Sequence, residues 1–216
     1  MAEPSLADRR SLLRAALGFV DGSNRVIRRA LSRGFRVRVK SDKSFVTDAD
    51  LAAERVLRQA IIKRFPSHGI IGEEFPKRNP RAPFQWILDP IDGTLSFTRG
   101  IPLFGTIVGL HHLGKPVAGV IDHPALGRRF WAGAGLGAYE DGRRLRLREL
   151  PPGAKVEDEL IATCDRKQFG RLRQERLFDR LARAHSQLRV YSDCFGHTLA
   201  ARGSVGAMVD YGIKIW

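Results

Sequence analysis

Residues 86–97 read Trp-Ile-Leu-Asp-Pro-Ile-Asp-Gly-Thr-Leu-Ser-Phe. The apolar run Trp86-Ile87-Leu88 has the pattern of a buried strand coming to its end. Two carboxylates, Asp89 and Asp92, follow at once. Pro90 restrains the backbone between them, Gly93 permits a sharp turn, and Thr94 adds a hydroxyl. Acids and a hydroxyl at the mouth of a strand are poor core material. They suit hard cations, which take oxygen ligands, and the turn exposes the Ile91 carbonyl as one oxygen more. The same residues would equally form an acidic turn in which Thr94 caps a helix.

Two stretches upstream bear on that choice. Gly69-Ile-Ile-Gly-Glu-Glu74 is a second apolar strand ending in acids. Two adjacent strand ends carrying Glu73, Glu74, Asp89 and Asp92 would crowd like charges, which is costly unless cations neutralise them. Lys40-Ser-Asp-Lys-Ser-Phe-Val-Thr-Asp-Ala-Asp50 leads into a helical pattern. There Thr47 and Asp50 could cap the helix or reach the acidic loop.

K-x-D-x-S-x-V-T-x-A-D, then G-E-E, then D-P-I-D-G-T, in that order from Lys40 onward, resemble the inositol monophosphatase superfamily of Mg²⁺-dependent phosphomonoesterases; the likeness extends to Trp216. The resemblance implies an α/β fold, a layered α/β/α/β/α sandwich of the inositol monophosphatase and fructose-1,6-bisphosphatase type, with the active site where two sheet layers meet. It implies two or three Mg²⁺ ions per site, with Mn²⁺ a possible substitute, held by Glu73, Asp89, the Ile91 carbonyl and Asp92. It assigns water activation to Glu73 and Thr94, with Asp50 supporting the Thr94 hydroxyl. The chemistry is consistent: phosphate monoesters resist water, paired cations clamp attacking and leaving oxygens, and an oriented hydroxyl–carboxylate pair takes the proton. Backbone N–H groups of Gly93 and Thr94, at a helix start, would hold phosphate oxygens. Lys40 matches a basic position near this loop or is a solvated surface lysine. Glu74 is either an outer partner of the metal or half of a structural ion pair.

The superfamily pattern carries a further Asp ligand directly after a Trp. This sequence reads Asp210-Tyr-Gly-Ile-Lys-Ile-Trp216 and ends, so the resemblance implies a member shortened at its C terminus, lacking its last elements and weak at the second metal. Asp210 falls where inositol-specific members bind substrate hydroxyls. Yet Tyr191-Ser-Asp-Cys-Phe-Gly196, with Lys40–Thr47, looks closer to the histidinol-phosphate phosphatase branch. There Asp193 and Asp210 would face a substrate ammonium or imidazolium; alternatively Asp193 caps the helix that follows. Histidinol phosphate is the expected substrate and inositol 1-phosphate the alternative. A weakly active or inactive phosphate-binding module is the reading from another class.

The elements that position these residues follow from hydrophobic spacing. With 216 residues and 43% hydrophobic residues, the chain can bury a core as a single domain, with an N-terminal half over 1–145 and a C-terminal half over 155–216. Leu6–Leu31 has helical periodicity, although Gly22 argues against one unbroken helix. Phe35–Val39 alternates as a short strand, and Asp50–Phe65 is a second helix stopped by Pro66. Pro76–Pro83 is a loop. Strands at Ile101–His111, Val117–Asp122, Arg129–Ala132 and Gly137–Tyr139 form a meander, with Asp141-Gly142 as a hairpin turn. Leu160–Thr163, Leu188–Tyr191 and Val205–Val209 are strands alternating with helices Arg171–Ala184 and Cys194–Arg202.

The net charge is +14, from 37 Lys and Arg against 23 Asp and Glu. The basic residues are spread over Arg25–Arg38, Arg143–Arg148 and Arg166–Arg183 with no aromatic interleaving of an RNA reader. We therefore expect no nucleic-acid or membrane partner. The first residues lack a signal peptide's apolar core, and Cys164 and Cys194 form no spaced motif. A cytoplasmic homodimer acting on a small phosphate monoester is the expectation.

Overall fold

The structure, a computed structural model, describes residues 3–41, 43–147, 152–153 and 155–216. Asp42 of the first motif and Arg148 of the basic stretch lie outside them. The chain is a mixed α/β protein that divides into two compact units, residues 1–144 with 216, and residues 145–215.

In the first unit α1 (Leu6–Arg33) opens on a reciprocal cap between Ser5 and Asp8. It runs unbroken through Gly22. A β-carbon there would lie 3.0 Å from Val56, so this glycine marks a close helix–helix approach and not an interruption. The hairpin of β1 (Val37–Val39) and β2 (Phe45–Thr47) leads into α2 (Asp48–Arg64). A seven-stranded sheet follows, made of β3 (Gly69–Gly72), β4 (Phe84–Asp92), β5 (Gly105–His112), β6 (Lys115–His123), β7 (Arg128–Gly133), β8 (Gly137–Glu140) and β9 (Arg143–Arg144), paired in sequence order. Only β3–β4 is parallel. The turn Asp141-Gly142 has positive φ at both residues, as a two-residue hairpin requires.

Helices α1 and α2 lie on the sheet and bury Leu12, Leu13, Phe19, Val20, Leu57 and Ile61 against Ile70, Trp86, Leu88, Val108 and Leu110. A second, smaller cluster contains Ile27, Ala49, Ala53, Ile91, Phe97 and Phe104. It anchors the acidic loop from within. Phe104 belongs to this cluster, and β5 begins only at Gly105, so the expected strand from Ile101 starts later. The loop Pro76–Pro83 is pinned: Arg78 and Ile70 exchange backbone hydrogen bonds at 2.8 and 2.9 Å.

The second unit has a three-stranded parallel sheet, β10 (Ile161–Thr163) between β11 (Leu188–Val190) and β12 (Ala207–Val209). Its helices are α4 (Arg166–Arg171), α5 (Glu175–Ala184) and α6 (Asp193–Ala201). The helix expected over 171–184 is present as α5 but begins only at Glu175, since Arg173 takes φ 57° before it; α4 is a separate helix upstream, tied to α5 by Arg166 and Asp179 at 2.8 and 3.0 Å.

Candidate active site

Strand β4 ends in a bulge. Its register against β5 shifts between Asp89 and Asp92, where Pro90 has no N–H to donate. The Thr106 hydroxyl donates to the Pro90 carbonyl at 2.8 Å. Ile91 is fully buried in the small core, which fixes the loop between its two acids. Gly93 then adopts φ 82°, a left-handed turn that favours glycine. The short helix α3 (Thr94–Thr98) starts directly after it.

The parallel pairing of β3 and β4 sets Gly72 opposite Leu88, and the Glu73 N–H donates to the Leu88 carbonyl at 3.2 Å. Glu73 and Asp89 are thereby neighbours across the pair. Asp89 is 5% exposed, and its Oδ1 has no hydrogen-bond partner. Burial, and then the charges of Asp92, Glu73 and Asp50, raise its pKa well above the ordinary carboxylate value. Burial likewise pushes Glu74 up to about 7, against the opposing hydrogen bond from Lys40.

Lys40 bridges the acid turn. Its ammonium donates to Glu74 Oε1 at 2.7 Å and to Glu73 Oε1 at 3.0 Å. Its pKa is raised: burial acts to lower it, but the two glutamates outweigh that cost. Glu74 is therefore half of an ion pair here.

Asp50 sits in the first turn of α2, wholly buried. Its Oδ2 accepts from the Thr47 hydroxyl and, at 2.8 Å, from the Thr47 N–H. Its Oδ1 faces the Thr94 hydroxyl at 3.5 Å, while that hydroxyl donates to the Ile91 carbonyl at 3.0 Å. Burial raises the Asp50 pKa to about 6 despite the Thr47 hydrogen bonds. Thr47 and Asp50 thus cap the helix together, and Asp50 also reaches the acidic loop.

The first unit therefore brings together Lys40, Asp50, Glu73, Glu74, Asp89, Ile91, Asp92, Gly93 and Thr94. Asp193 and Asp210 belong to the second unit. Asp193 is the first residue of α6, with φ 60°, directly after Ser192, which stands at the N-cap without a side-chain cap hydrogen bond. Asp210 accepts from Gln168 Nε2 at 3.0 Å and pairs with His197 Nε2 at 3.2 Å. Two further residues carry no motif: Glu54 and Arg58 of α2 hold the backbone of the acid turn. Their spacing from Asp50, four and eight residues on, is the only signal the sequence offers.

Among the described residues no three His, Cys, Asp or Glu side chains already form a metal cage. The donor set nevertheless fits a hard cation. It is all oxygen, it includes a buried carboxylate oxygen with no partner, and its mutual repulsion is only partly offset by Lys40.

A model of the inositol monophosphatase family matches residues 8–216. The chain is 32% identical over 207 residues to the histidinol-phosphatase of Mycobacterium tuberculosis, covering 94% of this chain and 80% of that protein. It is 34% identical over 184 residues to the histidinol-phosphatase of Chlorobaculum parvum, covering 85% and 70%. Among solved structures, the extragenic suppressor protein suhB from Bartonella henselae superposes with a TM-score of 0.85 at 25% identity, over 95% of this chain and 80% of that one.

Proposed function

The chain belongs to the inositol monophosphatase family, whose members are metal-dependent hydrolases of phosphate monoesters, and from that premise we propose that it hydrolyses histidinol phosphate with Mg²⁺. The observation that carries the metal reading is the buried, unpartnered Asp89 oxygen among Glu73, Asp92 and Asp50. Glu73, Asp89, Asp92 and the Ile91 carbonyl would hold the ion. Once bound, the ion neutralises these acids and acidifies its water.

The chain's own groups supply the proton path. Asp50 is pinned by Thr47, so its free oxygen faces the Thr94 hydroxyl. Thr94 would accept a proton from the attacking water as it passes its own to Asp50, with Glu73 as the second base. The N–H groups of Gly93 and Thr94 are the candidate phosphate donors, and Lys40 a candidate positive partner for the phosphate once it leaves the glutamates. Asp193 and Asp210 are the candidate partners of a cationic substrate group.

The substrate proposal draws support from the two histidinol-phosphatases among the relatives and from Asp193, an acid kept at a backbone angle that favours glycine. Inositol 1-phosphate is the second reading, favoured by the family description itself. Phosphate release from both compounds with Mg²⁺ tests the proposal. We expect kcat/KM for histidinol phosphate to be at least ~10-fold higher, and Asp193→Ala to erase most of that preference, since a charged site left unpaired discriminates strongly. The opposite preference would overturn the substrate. Phosphate binding without release from either would make the chain a binding module, a reading favoured by Lys40 lying on the acids. No described helix is long and apolar enough to cross a membrane.

A further inference from the structure

Asp50, Glu54 and Arg58 recur at every fourth position of α2 and so share one stripe of the helix. Only the first takes part in the chemistry described above. Glu54 is fully buried, with both carboxylate oxygens engaged. Oε2 accepts from the Glu74 N–H at 2.8 Å, and Oε1 accepts from Arg58 Nε at 2.7 Å. Arg58 reaches on: its Nη2 donates to the Phe75 carbonyl at 2.9 Å, and its guanidinium lies 5.6 Å from the centre of the Phe75 ring. The Glu54 carboxylate also fills the space beside Gly72, where a β-carbon would come within 2.0 Å of Oε1. The backbone from Gly72 to Phe75 is thus seated on two side chains of one helix.

A buried ion pair is a poor device for stability alone, because desolvation consumes most of its attraction. It is a good device for fixing backbone groups in one place. We propose that Glu54, braced by Arg58, is the positioning residue of the acid turn: it sets the backbone from which Glu73 meets the cation, and it does so from the same helix that carries Asp50. This rests on the reading of Glu73 as a metal ligand. Outer partners of metal ligands are typically worth ~10–100-fold in affinity.

Arg58 gives the proposal a sign that a charge effect alone cannot imitate. Removing a positive charge beside a cation site should, by Coulomb's law, tighten metal binding; removing a brace should loosen it. The test is Mn²⁺ titration of the full chain by calorimetry. We expect Arg58→Met to weaken binding ~10–100-fold, Arg58→Lys to fall between it and the wild type, and Gly72→Ala, which displaces Glu54 without changing charge, to weaken it as well. Val120→Ala, a core change on β6 and so outside α2 and the acid turn, should leave the affinity unchanged while lowering the melting temperature. Wild-type or tighter binding by folded Arg58→Met, or wild-type binding by Arg58→Lys and Gly72→Ala, would overturn the inference. Absence of Mn²⁺ binding by the wild type would overturn the metal reading itself and this inference with it.

Discussion

The Lys40 ammonium lies 2.7 Å from a carboxylate oxygen of Glu74, so the acid turn already carries one positive charge before any ion arrives. That charge stabilises the metal-free state and competes with a metal. Lys40→Met should therefore lower the melting temperature without metal and enlarge the shift that saturating Mg²⁺ produces. Thermal unfolding with and without Mg²⁺ decides it. A smaller shift in the variant would mean that Lys40 helps to organise the acids for the ion.

Asp92 stands at the end of the bulge that the buried Ile91 fixes. Asp92→Asn should remove most of the stabilisation by Mg²⁺, about 2.7 kcal/mol at a hundredfold excess over Kd in a protein that binds the ion. An unchanged Mg²⁺ shift in the variant would take Asp92 out of the ligand set.

Thr94 has a hydroxyl between the Ile91 carbonyl and Asp50. Thr94→Val keeps the shape and loses the proton relay. We expect kcat to fall by ~10²–10⁴ with KM and melting temperature little changed, and Thr94→Ser to recover most of the rate. A loss confined to KM would instead make the residue a phosphate contact.

Asp210 gives a pH dependence in the second unit. Burial acts to raise its pKa, but hydrogen bonds from His197, the Cys164 thiol and the Tyr211 N–H outweigh that, and the pKa lies below its ordinary value. A depressed carboxyl pKa contributes stability that is complete above the unfolded value and is lost as pH falls through the folded one. Asp210→Asn should cost about 1–3 kcal/mol at pH 7. The difference from the wild type should shrink below about pH 4. A constant difference across that range, measured by urea unfolding, would remove the charge from the explanation.

The acids were legible in the sequence because each lies at the end of its own apolar strand, and the pairing of β3 with β4 brings those ends together without further information. The hairpin turn at Asp141-Gly142 and the capping role of Thr47 and Asp50 were legible for the same local reason. What depends on distant partners was not. Gly22 looks like a helix interruption until Val56 is seen against it. Glu54 belongs to no motif, yet it is fully buried, with Arg58 and the Glu74 N–H satisfying its carboxylate. The apolar stretch from Ile101 looks like strand, but Phe104 packs on Phe97 with ring centres 5.1 Å apart, beneath the acidic loop.

The strand order of the first unit also sets when its charges meet. From β5 to β9 each strand pairs antiparallel with the next across a short turn, and hairpins of that kind close within microseconds, whereas β4 reaches β5 only through residues 93–104. The parallel β3–β4 pair must first close the connection through residues 73–83, an entropic cost met before any of its hydrogen bonds form. Glu73 and Asp89 come together only across that pair. The hairpins from β5 to β9 can thus close before Glu73 meets Asp89, and the repulsion of those two acids opposes the docking of β3 and not those hairpins. A cation that binds there after the transition state acts as a kinetic lock: it slows unfolding far more than it speeds folding.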